Sequence, residues 1–75
     1  MIPRDALINA IRSKGFTFKR HADRVEIYKQ RGTTQRVMLR HNALHDPEYA
    51  KVILRQAGFT DIEINVFVSQ YDRLN

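Results

Sequence analysis

His21, His41 and His45 are the side chains of this sequence best suited to moving a proton near neutral pH. A neutral imidazole can take a proton from a ribose hydroxyl or return one to a leaving oxygen, which is nuclease chemistry. His41 and His45 stand four apart, a spacing that pairs side chains only on a helix. Asp46-Pro47 opens the next helix after both. They read as two solvated loop histidines. His21, among Lys19, Arg20 and Arg24, reads as an exposed strand-end residue or as a general base. The chain has no cysteine. That excludes disulfides, thiolate metal sites and a cysteine nucleophile, and an all-protein zinc site would need carboxylate help. No metal or cofactor is expected.

Charge supplies the second clue. Nine of the thirteen basic residues lie between Arg12 and Arg40, where the only acids are Asp23 and Glu26. Nine minus two leaves the segment at +7 against +5 for the whole chain, so the remainder sums to −2. A one-signed excess laid on a small sheet is the electrostatic footprint of a polyanion site, most often for nucleic acid. Lys19, Arg20, Arg24, Tyr28, Arg36 and Arg40 are the candidate contacts. Arginine dominates among them, and its planar fork binds phosphate through two hydrogen bonds at once. The competing reading is a solvated face whose charges keep strand edges from aggregating.

Three elements must position these groups between two helices. Pro3 and Asp5 suit a first helical turn. Ala6, Leu7, Ala10 and Ile11 then make one apolar stripe, and Gly15 ends a helix running from about Pro3 to Lys14. Phe16 to His21 alternates, with Phe16 and Phe18 inward and Thr17, Lys19 and His21 outward. Arg24 to Gln30 alternates again, with Val25 and Ile27 inward and Arg24, Glu26 and Tyr28 outward. Gln35 to Arg40 places Val37 and Leu39 inward, Arg36, Met38 and Arg40 outward. Arg31-Gly32-Thr33-Thr34 makes the hairpin loop before it. Asp46, Pro47 and Glu48 are cap, first position and first-turn acid of a second helix, whose stripe is Ala50, Ile53, Leu54 and Ala57. Thr60 and Glu63 fit a capping box for a third. Ile64, Phe67, Val68 and Tyr71 follow helical spacing, although Ile62, Ile64, Val66 and Val68 also alternate as a strand would. The fold class is α+β: helix, three-stranded antiparallel sheet, helix, then a C-terminal helix.

Seventy-five residues make one domain with a small core. No apolar run approaches a membrane span, and the N-terminus lacks the uninterrupted apolar stretch of a signal peptide. A cytoplasmic location is the expectation. The tail stripe of Ile64, Phe67, Val68 and Tyr71 either covers this core or pairs with a second copy.

Two blocks carry a family resemblance. Ala6-Leu7-Ile8-Asn9-Ala10-Ile11-Arg12-Ser13-Lys14-Gly15-Phe16 resembles the opening helix and glycine-aromatic exit of the HicA (YcfA-like) toxins of bacterial toxin–antitoxin pairs. Arg36-Val37-Met38-Leu39-Arg40-His41, with Ala50 and Ile53-Leu54-Arg55-Gln56-Ala57-Gly58, is similar to that family's third strand and second helix. The likeness covers roughly residues 5–59, so 3–59 reads as a HicA-like core and 60–75 as an extension. It implies a double-stranded-RNA-binding-like α-β-β-β-α fold, ribonuclease activity on mRNA and an antitoxin partner that covers the active site. The family's glycine-serine-histidine motif falls on Asp23-Arg24-Val25, so Val25 stands where its catalytic histidine would. His41 matches a position where the family often carries histidine, so the resemblance implies a catalytic or phosphate-contacting role for it. The reading that follows is RNA binding through a basic sheet face without efficient cleavage. Its alternatives are an active ribonuclease using His21 or His41, and an interaction module for an acidic protein.

Overall fold

Pro3 holds an extended backbone, with φ −62° and ψ 138°, and the chain enters a helix directly after it. The computed structural model describes residues 1–72; positions 73–75 of the expected extension lie outside the described residues. In chain order the elements are β1 (Ile2–Pro3), α1 (Arg4–Ser13), β2 (Phe16–Ala22), β3 (Val25–Gln30) and β4 (Arg36–Arg40). There follow β5 (Leu44–His45), α2 (Pro47–Gln56) and α3 (Asp61–Asp72). The chain is α+β: β2, β3 and β4 form an antiparallel sheet in that order, with the helices packed beside it. β1 and β5 pair antiparallel as a separate two-stranded ribbon.

The helix signals act as their chemistry requires. Asp46 Oδ1 accepts the Tyr49 backbone N–H at 2.9 Å, with Pro47 in the first helical position of α2. At α3 the capping box closes in both directions: Thr60 N–H donates to Glu63 Oε1 at 2.8 Å, and Glu63 N–H donates to Thr60 Oγ1 at 3.2 Å. The Thr60 backbone N–H also holds the Glu63 carboxyl below its ordinary range. Gly15, at φ +89°, takes the left-handed conformation that lets α1 stop and the chain turn into β2.

Helical spacing separates the tail's apolar residues into two faces. On a strand Ile62, Ile64, Val66 and Val68 would share one side. On α3, Ile62 and Val66 are exposed, whereas Ile64 and Val68 are 1% and 4% exposed and join Leu7, Ile11, Phe16, Leu39 and Leu54 in the core. Phe67 and Tyr71 pack against that core partly buried. The stripe thus serves the chain's own interior. Ile64 and Val68 are not available to a second copy, which corrects the homodimer surface drawn from Ile64, Phe67, Val68 and Tyr71.

Register decides the two sheet faces, because residues directly opposite on antiparallel strands share a face. Tyr28 pairs with Val37, and Glu26 with Leu39; Val37 and Leu39 are buried under the helices. Glu26 and Tyr28 therefore face inward, while Val25 and Ile27 face outward with Arg40 and Met38. This reverses the expected orientation of β3. On β2 the register slips between Phe18, opposite Tyr28, and Arg20, opposite Ile27. Lys19 is the extra residue of a β-bulge, and every later side chain of β2 changes face. His21 consequently stands beside Glu26 on the helix side of the sheet rather than among the outward cations. The hairpin between β2 and β3 is the two-residue Asp23-Arg24 turn, with Arg24 at φ +62°.

Candidate functional site

Bulge and register together bring His21, Glu26 and His41 to one end of the sheet. Their donor atoms all lie within 4.8 Å of one another. The His21 and His41 rings meet edge-on with centroids 5.5 Å apart, and the other side of His21 packs on Phe18 at 5.1 Å. Both imidazoles are exposed, whereas the Glu26 carboxylate is largely buried. Glu26 Oε1 accepts from the Arg4 guanidinium and from the Tyr28 hydroxyl, the latter at 3.0 Å. Its other oxygen, Oε2, faces His21 Nδ1 at 3.6 Å. Arg4 also donates through Nε to the Arg40 carbonyl, and its backbone N–H donates to Ala43. The start of α1 is thereby tied to β3 and to the chain leaving β4.

The arrangement is a carboxylate held by two hydrogen-bond donors facing two exposed imidazoles. Such a set can orient a histidine tautomer for proton transfer, or hold a cation. His21 and His41 are candidates from sequence; Glu26 is not. Only the register relative to Leu39 reveals its place. Val25 lies on the opposite face, paired with Arg40.

His45 departs from the expected solvated loop. It is 4% exposed, its ring lies 4.8 Å from that of Tyr49, and Nε2 has no hydrogen-bond partner among the described residues. Burial pushes its pKa below the ordinary 6.5; the positive charges of Arg4 and Arg40 act the same way, against the Arg40 carbonyl and Asp46. A histidine held neutral in the fold but free to protonate when unfolded stabilises the protein above 6.5, and that contribution is lost as pH falls below it. The urea midpoint is expected to drop between about pH 7.5 and 5.5, and His45→Phe, which retains the ring, to remove most of the drop. The Glu63 carboxyl, with an ordinary value of 4.5, titrates below this window. A flat profile in the parent chain refutes the assignment.

The outer sheet face carries Thr17, Arg20, Val25, Ile27, Lys29, Arg36, Met38 and Arg40 by register. Arg20, Arg36 and Arg40 are exposed there, as expected. Lys19 is exposed at the bulge and Arg24 in the turn. Tyr28 is the exception: at 4% exposed it belongs to the core side and is withdrawn as a nucleic-acid contact. Lys29 takes its place, opposite Thr17. Glu26 is the only acid in β2, β3 and β4, and it faces the other way. A shallow depression beside the β3–β4 loop is lined by Lys19, Lys29 and Arg31 together with Thr17, Thr33 and Thr34.

No helix among the described residues is long and apolar enough to cross a membrane. The chain matches no protein-family model, no curated protein and no solved structure.

Proposed function

We propose that the chain is an RNA-binding protein of the toxin–antitoxin type its HicA-like blocks imply, meeting the nucleic-acid backbone with the outer face of its sheet. The observation that carries this reading is the sign of that face: four cations, Arg20, Lys29, Arg36 and Arg40, and no acid. Met38, 58% exposed, and the half-buried Val25 lie among them, so a base can rest on apolar surface while its phosphate meets a guanidinium. The Lys19–Lys29–Arg31 depression extends the same chemistry to the sheet's far end.

Four phosphate contacts give a slope of log affinity on log salt of about −2.8 for single strands and about −3.6 for duplex. Raising salt from about 50 to 200 mM should weaken binding roughly 50-fold or 150-fold respectively. Arg20→Ala, Lys29→Ala, Arg36→Ala and Arg40→Ala together should abolish binding while circular dichroism stays that of the parent. Each single change should flatten the slope by about one. Equal affinity at the two salt concentrations overturns the proposal.

The convergence of His21, Glu26 and His41 favours a second reading, RNA cleavage. Recovery of the RNA in the same experiment separates the two. Intact RNA supports binding alone; cleavage that disappears in His21→Ala or His41→Ala supports a ribonuclease. Failure to bind RNA, with salt-sensitive capture of an acidic polypeptide instead, supports the protein-interaction module.

A further inference from the structure

We infer that His21, Glu26 and His41 form a binding site for a divalent transition metal of the zinc class. The site lies on the helix side of the sheet, across from the basic face, so it stands or falls separately from RNA binding. Two imidazoles and one carboxylate are a donor set for Zn²⁺, Co²⁺, Ni²⁺ or Cu²⁺, whereas Mg²⁺ and Ca²⁺ require shells of oxygen. Three protein ligands leave at least one coordination position to water.

The carboxylate is what raises this above a chance cluster of exposed histidines. Arg4 and the Tyr28 hydroxyl both take Oε1, which fixes the plane of the Glu26 carboxylate and leaves Oε2 directed at His21 Nδ1. Hydrogen bonds of this kind behind a ligand are what orient it in metal sites. Phe18 backs the His21 ring from the other side. Tetrahedral ligands at about 2.1 Å from zinc stand about 3.4 Å apart. The three donors, within 4.8 Å of one another, must therefore draw in by an ångström or so. The exposed His21 and His41 are free to do this by rotating about their side-chain bonds, while Glu26 stays in place. Arg4 opposes the ion, because it already balances the Glu26 charge; the site should be weaker than one with an unpaired carboxylate.

Titrating the untagged full chain with Zn²⁺ in a calorimeter should show one site. In an NMR titration with diamagnetic Zn²⁺, the imidazole resonances of His21 and His41 should shift strongly while those of buried His45 change little. His21→Ala and His41→Ala, both at exposed positions, should each weaken Zn²⁺ binding about tenfold or more, and Tyr28→Phe should weaken it roughly tenfold by releasing the carboxylate. Arg36→Ala should leave it unchanged. No heat of binding at millimolar Zn²⁺ overturns the inference. So does weakening by only one of the two histidine changes, or binding that persists when both are removed.

Discussion

A chain carrying Ile64→Asp is expected to lose about 3–5 kcal/mol of stability, the sum of a lost aliphatic burial and a carboxylate placed where water does not reach. A domain of this length is stabilised by only about 4–11 kcal/mol in total. The variant should therefore be largely unfolded, or unfold at a much lower urea concentration. Val66→Asp, two residues further along the same helix but 56% exposed, should change stability by no more than about 0.5 kcal/mol. The contrast is the point of the experiment. Were residues 62–68 a strand, Ile64 and Val66 would share a face and the two substitutions would act alike. Equal urea midpoints for the two variants would refute the packing of α3.

The second large effect is expected at Glu26. Glu26→Leu leaves the Arg4 guanidinium and the Tyr28 hydroxyl without their shared acceptor, in a place where the Arg4 and Glu26 side chains are only 18% and 16% exposed. A charged donor stranded in this way should cost about 2–4 kcal/mol. Arg4→Met on the same background should recover part of the loss, since it removes the cation that has lost its counter-charge. A double-mutant cycle measures the coupling, and strictly additive losses would show that the pair contributes nothing beyond its separate contacts. The same substitution should uncouple His21 from the remainder of the cluster.

The helices were legible because their signals are local. Asp46-Pro47-Glu48 specifies a start without reference to anything distant, and Thr60 with Glu63 specifies another. Strand existence was legible too, from alternation in Phe16–His21 and Gln35–Arg40. The faces of β3, and of β2 beyond its bulge, were not. In Val25-Glu26-Ile27-Tyr28 both alternating sets contain groups that can be buried, so periodicity alone cannot choose between them. The choice is made by the two-residue Asp23-Arg24 turn and by pairing with β4, which sets Glu26 against Leu39. The bulge at Lys19 has no residue signature of its own, yet it carries His21 across the sheet. The ribbon of β1 and β5 was illegible for a simpler reason: two residues cannot show a period. Within it His45, which the sequence places in a solvated loop, is buried beside Tyr49. The candidate site was thus half legible. Its histidines could be named, but what joins them is register.

One side chain on α2 also shapes how this protein can meet others. The Tyr49 hydroxyl accepts the Arg40 backbone N–H at 3.1 Å and donates to the Met38 carbonyl at 3.3 Å, while the Arg40 guanidinium lies 4.7 Å from the centre of its ring. Those two backbone groups belong to β4, an outer strand of the sheet. A phenol thus occupies the place where an incoming chain would dock its main chain, and the other outer strand, β2, is bent by its bulge. The sheet is closed to lateral growth on one margin and disfavours it on the other. Recognition is left to side chains projecting from a surface of fixed extent, so what the protein binds is set by charge and shape, and binding does not extend the sheet into a larger one.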